Sequence, residues 1–153
     1  MANANLKQNV NEFKVHNNAW FFTFEGIEVI VMKIPEFDYW AGVDGNIYSL
    51  KGKKIRRLSP CNSGNGYLKV RLSKDKEMHP QYLHRLVAMA WLEDGSVDLA
   101  GNYRNEINHL DGDKGNNKLC NIEWCSKAEN AHHLKWVLKA HDFKLWKAER
   151  VIS

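Results

Sequence analysis

The sequence has few cysteines and no long apolar run. Its three cysteines, Cys61, Cys120 and Cys125, cannot all pair and show no C-x-x-C spacing, which predicts reduced thiols in a cytoplasmic setting. A structural zinc site is disfavoured because the cysteines do not occur as ligand pairs, although Cys120, Cys125 and a nearby histidine could still form one. The longest apolar run is far too short to span a bilayer, and the N-terminus, MANANLKQNVNEF, has no hydrophobic signal core. We therefore expect a cytoplasmic protein without a membrane partner.

No internal repeat, low-complexity segment or long linker divides the chain. With 153 residues, 44% of them apolar, it suits one compact domain or two small ones in close contact. Turn signals at Glu25-Gly26 and Asp44-Gly45 predict short antiparallel hairpins, and residues 67–72 predict a strand after a flexible loop at 60–66. One amphipathic helix is predicted by apolar residues at helical spacing: Leu83, Leu86, Val87, Ala90 and Trp91. Its apolar face is expected to join the core, with His84 and Arg85 on a different face.

The stretch from residue 105 to 133, NEINHLDGDKGNNKLCNIEWCSKAENAHH, predicts a strand, a loop, a second strand and a helix. Residues 106–110 and 121–125 alternate polar and apolar side chains, as half-buried strands do. The first strand is broken by Asp111-Gly112-Asp113, because Asp and Gly tolerate turn conformations.

A helix is predicted to start at Ser126, because Ser126 and Glu129 have the S-x-x-E spacing of a capping box. Its apolar face, formed by Ala131, Leu134 and Leu138, is expected to be buried against the hairpin. In this arrangement His109 of the first strand and Asn130 in the first helical turn can approach each other. A divalent cation between them would be placed to receive a scissile phosphate.

The net charge of +4 is unevenly distributed. Residues 51–76 contain nine Lys or Arg against Asp75 alone, a local charge of +8, whereas residues 1–50 carry −3 and residues 77–126 carry −4. A local concentration of positive charge is suited to binding along a phosphate backbone. The segment therefore favours contact with DNA over a merely solvated Lys-rich loop.

At the polar stretch the chain resembles the HNH family of ββα-metal endonucleases, most closely the phage and intron-encoded homing-endonuclease branch. The resemblance is carried by NHLDGD at 108–113, Asn116-Asn117, NIEW at 121–124 and Glu129-Asn130. It implies an α+β fold, in which small antiparallel hairpins precede a C-terminal ββα-metal unit. It also implies an endonuclease that hydrolyses DNA phosphodiester bonds with a single Mg²⁺ or Mn²⁺ ion, in the host cytoplasm if the gene is phage-borne.

The resemblance also implies a role for each matching residue. His109 would be the general base that deprotonates the attacking water, and Asn121 would be the central Asn that holds the loop by hydrogen bonds to the backbone. Asn130 and Asn108 would be the metal ligands. Many relatives have Asp at the position of Asn108, so this chain offers an oxygen there but no charge. Asp111 is either a loop former or a further metal ligand.

Upstream, residues 33–50, 66–72 and 83–91 are similar to the small nuclease-associated modular domain that often precedes the HNH unit. The implied organisation is an N-terminal hairpin extension at 1–32, a modular DNA-binding segment at 33–76, the HNH domain at 77–140 and a tail at 141–153. The expected partner is double-stranded DNA, bound by a monomer. The residues expected to contact it are Lys51, Lys53, Lys54, Arg56, Arg57, Lys69, Arg71, His84 and Arg85.

Two functions compete with cleavage of duplex DNA. The first is a regulatory DNA-binding protein that keeps the fold but does not cut, and the second is a nuclease directed at RNA. Two roles are open for His84, which precedes an apolar helix: its side chain either contacts the scissile phosphate or caps the helix.

Overall fold

The first sheet is built from short antiparallel strands that succeed one another along the chain. The computed structural model describes residues 19–93 and 96–139, except for the side chains at 136 and 137; the predicted tail at 141–153 lies outside the described residues. Strands β1 (Trp20–Phe24) and β2 (Ile27–Lys33) form the hairpin predicted around Glu25-Gly26. Strands β3 (Trp40–Gly42), β4 (Ile47–Ser49) and β5 (Arg56–Arg57) extend it to five strands in sequence order.

The turn between β3 and β4 forms at Asp44-Gly45, as predicted. Oδ1 of Asp44 accepts a hydrogen bond from the backbone N–H of Asn46 at 3.1 Å. Its Oδ2 accepts one from the Tyr48 hydroxyl at 2.6 Å. Gly45 has φ +83°, and a Cβ at this position would lie 2.5 Å from the backbone C and O atoms of Asn117. Glycine is therefore required both by the turn and by the close approach of the segment at Asn117.

A second sheet leads directly into a helix. Strands β6 (Cys61–Asn62), β7 (Leu68–Lys74) and β8 (Glu77–Tyr82) pair antiparallel, and α1 (Leu83–Trp91) comes directly after β8. The prediction of a loop throughout residues 60–66 is therefore wrong at β6, where backbone pairing with Leu68 and Lys69 gives Cys61–Asn62 strand geometry. The predicted helix is confirmed, with Leu83, Leu86 and Val87 buried.

The C-terminal unit has the predicted order of strand, loop, strand and helix. Strand β9 (Glu106–His109) pairs antiparallel with β10 (Ile122–Cys125), which comes after a 3₁₀ turn at Leu119–Asn121. Helix α2 (Lys127–His132) begins after Ser126, with both hydrogen bonds of the predicted capping box present. The helix continues as a π-helical stretch at His133–Leu138.

The expected burial of α2 is wrong. Ala131 is exposed and Leu134 is 61% exposed, while Leu138 is half-buried against Gly112. All three side chains border one open cavity together with residues of β9, so this face of the helix is left uncovered by the hairpin.

One core joins segments on both sides of the predicted division at residue 76. It contains Ile34, which comes directly after β2, and Ala41 and Ile47 of the first sheet, together with Leu86 of α1 and Ile107 of β9. Two hydrogen bonds cross the same interface: Trp91 Nε1 donates to the Ala41 carbonyl at 2.8 Å, and the Leu119 N–H donates to the Val43 carbonyl at 3.0 Å. The β9–β10 hairpin is therefore held against the first sheet by both packing and backbone contacts.

The three cysteines form no disulfide with one another; Cys125 is buried and the other two are exposed. None of the described helices is both long and apolar enough to cross a bilayer.

Candidate active site

The register of β9 and β10 sets the positions of the polar residues. His109 lies opposite Ile122, and Asn108 lies opposite Glu123. Because side chains alternate along a strand, His109 shares a face with Ile107 of the core, whereas Asn108 shares the other face with Glu106. His109 is only 5% exposed and Asn108 only 4%.

The imidazole of His109 is fixed by Asn117. Its Nε2 lies 3.0 Å from Oδ1 of Asn117, whose Nδ2 donates to the Gly115 carbonyl at 3.1 Å. That second bond sets the amide orientation, so that Oδ1 faces the ring and Nε2 must carry the proton it donates. In the neutral imidazole Nδ1 is then unprotonated and available as a proton acceptor. No pattern in the sequence assigned this role to Asn117, although it lies in the quoted Asn116-Asn117 pair.

Asn108 and Asn130 border the same open cavity as His109, with a volume of about 310 Å³. Nδ2 of Asn108 donates to Oε1 of Glu123 at 2.9 Å, and Nδ2 of Asn130 donates to Oε2 of Glu106 at 2.9 Å. Neither amide oxygen accepts a hydrogen bond from a described residue. Amide oxygens are suitable ligands for a hard divalent cation.

Carboxylate and imidazole ligands alone do not form a metal site in the described part of the chain, where no group of three His, Cys, Asp or Glu side chains has a suitable arrangement. The residues present fit a divalent cation through the two free amide oxygens. Two lysines, Lys114 and Lys127, also border the cavity.

Asn121 ties the loop between the two strands together. Its Oδ1 accepts from the Asp111 N–H at 3.1 Å, and its Nδ2 donates to Oδ1 of Asp111 at 2.9 Å and to the Asn116 carbonyl at 2.8 Å. Burial alone would raise the pKa of the Asp111 carboxyl, but hydrogen bonds from Asn116, Asn121 and the Asp113 N–H hold it below its usual value. The side chain of Asp111 is thus engaged within the loop.

His84 is buried beside His109. It is 7% exposed, and its ring centroid lies 5.3 Å from that of His109 and 4.9 Å from that of Tyr67. Burial, with smaller contributions from His109 and Arg85, lowers the pKa of His84 to about 4. Its Nδ1 has no hydrogen-bond partner among the described residues. The expectation that His84 lies on a face away from the core is wrong, because Tyr67 and Tyr82 enclose the ring.

The capping alternative for His84 is also wrong, since Tyr82 is the N-cap residue of α1 and no side chain caps it. Arg85 is exposed instead, with its guanidinium 5.7 Å from the Trp124 ring and 3.1 Å from the Asn105 carbonyl. Contact of either residue with DNA stays a prediction.

The basic residues expected to contact DNA fall into two groups. Several already have partners: Lys51 lies over Tyr39, Arg57 pairs with Glu25, and Lys69 lies over Tyr82. Others are exposed without an ion pair to any described residue: Lys53, Lys54, Arg56 and Arg71. Lys69 and Arg71 lie on one face of β7, because the alternate residues Val70 and Leu72 are buried.

The start of α2 is anchored by an ion pair that no sequence pattern predicted. Arg104 donates to both carboxylate oxygens of Glu129, at 2.6 and 2.9 Å, and these bonds lower the pKa of Glu129 to about 2. Ser126 donates to Asp98 at 2.6 Å. Neither Arg104 nor Asp98 has a spacing that marks it, because both contacts join distant parts of the chain. Together they fix the helical turn that carries Asn130.

The ββα-metal type of nuclease fold is defined by a strand, an Asn-rich loop, a second strand and a helix around one histidine, which is the arrangement found here. No protein-family model matches the chain. It is 34% and 27% identical to the uncharacterized HNH endonucleases L245 and L247 of Acanthamoeba polyphaga mimivirus, over 71% and 69% of this chain but only 31% and 25% of those proteins. It is 32% identical, over 69% of its length, to the prophage protein YosQ of Bacillus subtilis (strain 168), named as an HNH homing endonuclease of unestablished activity.

The fold is also similar to that of the HNH homing endonuclease I-HmuI, a protein described as binding and cleaving DNA. The TM-score is 0.57 at 25% identity, covering 77% of this chain and 67% of that one. The chain therefore belongs to the HNH endonucleases. It spans 57% of YosQ and about a third or less of the two viral relatives.

Proposed function

We propose that the protein is a metal-dependent endonuclease that hydrolyses phosphodiester bonds of duplex DNA, as a monomer. The observation that carries the proposal is the fixed imidazole of His109, whose Nε2 is held by Asn117 beside a cavity bordered by Asn108 and Asn130. DNA binding and cleavage by I-HmuI, a similar structure, supports the same substrate class.

In the proposed mechanism His109 acts as the general base. Nδ1 takes a proton from water, and the hydroxide formed attacks the phosphorus of the scissile phosphodiester. Protonated His109 keeps its Nε2–H bond to Asn117, which holds the ring in place through the transfer. Lys114 and Lys127, at the same cavity, supply positive charge for the phosphate oxygens.

The amide oxygens of Asn108 and Asn130 would hold the divalent ion, Mg²⁺ or Mn²⁺. When bound, such an ion neutralises charge that develops on the phosphate and on the departing 3′ oxygen. Asn121 would serve the reaction indirectly, by fixing the loop that contains Asn116 and Asn117. The products would then carry 5′-phosphate and 3′-hydroxyl ends, as the family resemblance implies.

The DNA would lie across the basic segment and the nuclease cavity together. The side chains of Lys53, Lys54 and Arg56, exposed and without an ion pair to a described residue, can contact phosphates, and Arg71 adds to them from β7. Residues 33–76 would thus act as the DNA-binding module. These contacts go to the backbone and would position the duplex without reading its sequence.

The test is incubation of supercoiled plasmid with the protein and Mg²⁺, Mn²⁺ or EDTA. We expect nicked or linear product with metal and none with EDTA. His109→Gln should lower the rate roughly 10²- to 10⁴-fold, the usual contribution of a general base. Gln is preferred to Ala because His109 is buried against Tyr67 and His84, so Ala would leave a hole.

His79→Gln is the matched control, since His79 lies on β8 with its ring against Phe37. It should cut like the wild type. A folded His109→Gln variant that keeps more than about a tenth of wild-type activity would contradict the assignment of the base. Absence of product under every metal condition, with duplex binding retained, would instead favour the regulatory DNA-binding alternative. Preference for structured RNA would favour the RNA-directed one.

A further inference from the structure

We propose that Glu106 and Glu123 are positioning residues for the metal ligands. Each carboxylate fixes one ligand amide so that its oxygen is left for the cation, and together they add negative charge that the two amides lack. This inference rests on the proposed function, because it concerns the same cation. It assigns a role to two side chains that the proposed mechanism does not use.

The orientation of each amide is set by the chemistry of its partner. An ionised carboxylate can only accept hydrogen bonds, so the group that faces it must be the amide NH₂. Glu123 accepts from Asn108 across the β9–β10 pair, and Glu106 accepts from Asn130 across the junction of β9 with α2, each at 2.9 Å. Since an amide's oxygen and nitrogen point in different directions, each bond turns the oxygen away from its carboxylate.

A side-chain amide without such a partner has two orientations of similar shape, only one of which presents oxygen. An amide NH₂ directed at a cation would repel it. Fixing the orientation therefore raises the fraction of protein molecules whose two oxygens are ready to bind. For the same reason, residues that orient metal ligands affect metal affinity strongly although they do not touch the ion.

The charge of Glu106 supports the same role. Neither Glu106 nor Glu123 forms an ion pair with a Lys or Arg among the described residues. Glu106 borders the cavity, where its carboxylate would oppose a DNA phosphate by like-charge repulsion. A divalent cation between the phosphate and the protein removes that conflict, so the position of Glu106 is consistent with a cation at this cavity.

Glu106 also shares a strand face with the first ligand. It precedes Asn108 by two residues, so both side chains lie on the same face of β9. Glu106 and Asn130 also border a second open cavity together with Arg85 and His84. The hydrogen-bonded pair of Glu106 and Asn130 therefore borders both cavities.

The test measures Mn²⁺ affinity by calorimetry, in the presence of a non-cleavable DNA duplex. Glu106→Gln and Glu123→Gln keep an acceptor but lose the charge and the enforced amide orientation, and the Ala variants lose the bond as well. We expect each Ala variant to bind Mn²⁺ roughly 10- to 100-fold more weakly, the usual effect of removing a residue that orients a ligand. The Gln variants should fall between Ala and wild type.

Glu28→Gln is the control for charge, because Glu28 is exposed on β2 in the first sheet. It should bind Mn²⁺ like the wild type. Thermal melting without metal shows that each variant is folded. Wild-type affinity in the folded Glu106 and Glu123 variants would overturn the inference while leaving the proposed function intact. Failure of the wild type to bind Mn²⁺ with DNA would overturn both.

A double-variant cycle separates positioning from a merely structural role. In Asn108→Asp the amide is gone, so Glu123 has no NH₂ to orient. Glu123→Gln should then weaken Mn²⁺ binding less in the Asn108→Asp background than in the wild type. An equal loss in both backgrounds would show that Glu123 acts without orienting Asn108 and would contradict its proposed role.

Discussion

Replacing Asn121 should both destabilise the protein and disorganise the nuclease loop. The side chain is 8% exposed and makes three hydrogen bonds: one accepted from the Asp111 N–H, one donated to the Asp111 carboxylate and one donated to the Asn116 carbonyl. Asn121→Ala removes all three. At about 1 kcal/mol net for each bond, the free energy of unfolding should fall by about 3 kcal/mol.

Asn121→Asp is the more informative variant because it has nearly the same shape. It keeps the bond from the Asp111 N–H but loses both donated bonds, and it places a second carboxylate where Nδ2 now lies 2.9 Å from the carboxylate of Asp111. At pH 7 the variant should therefore be at least as unstable as Asn121→Ala. As the pH falls, one of the paired carboxyls takes up a proton and can donate again, because each carboxylate raises the pKa of the other, so the Asp variant should recover part of the loss.

The assay is urea unfolding monitored by tryptophan fluorescence in EDTA, at about pH 7 and at about pH 5. Asn105→Ala is the control, since that exposed side chain makes no hydrogen bond with a described residue. A loss below about 1 kcal/mol in Asn121→Ala would refute the reasoning, because three bonds to a largely buried amide cannot cost so little. A pH-independent deficit in Asn121→Asp would refute the proposed contact with Asp111.

Three other sets of variants test the geometry. His84 has a pKa of about 4 in the folded protein and takes up a proton in the unfolded chain near pH 6.5, so the free energy of unfolding of the wild type should fall by roughly 3 kcal/mol as the pH drops between those values. Urea unfolding of His84→Phe over the same pH range should lack this fall, and an identical pH dependence in the two proteins would contradict the burial of a neutral His84. Gly45→Ala should lower the cleavage rate, since its Cβ would lie 2.5 Å from the Asn117 backbone. Gly26→Ala is the control for the backbone conformation alone, because Gly26 has a similar φ and no atom within 4 Å of such a Cβ; equal activity in the two variants would exclude the close approach of Gly45 to Asn117. Neutralising every Lys and Arg at 53–57 should weaken binding to all duplexes, and the slope of log affinity against log salt concentration should become shallower by about 0.9 for each lost phosphate contact. Unchanged binding would mean that the segment is only a solvated surface.

Local signals in the sequence predicted the elements that carry the site. The capping box at Ser126 and Glu129 and the turn at Asp44-Gly45 form as expected, because each depends on residues close together in the chain. The alternating pattern around His109 also gave the right strand and the right order of elements.

Contacts between distant residues could not be predicted in the same way. The bond from His109 to Asn117 and the pairing of Glu106 with Asn130 depend on how the loop and helix pack, and no local spacing encodes either. The apolar spacing of Ala131 and Leu134 was misleading, because both side chains border an open cavity that the hairpin does not fill. Burial of His84 depends likewise on Tyr67, which lies on a different segment.

The hydrogen bonds from Trp91 to Ala41 and from Leu119 to Val43 also constrain the order of folding. Each closes a long loop, and the entropy of loop closure must be overcome before the contact contributes. On the ribosome, strands β3 and β4 emerge well before the β9–β10 hairpin that packs on them has been synthesised. Ile107 and Ile122 complete the core only at that late stage. His109 is therefore positioned after most of the described chain has been made, so a prematurely terminated chain lacks an organised site.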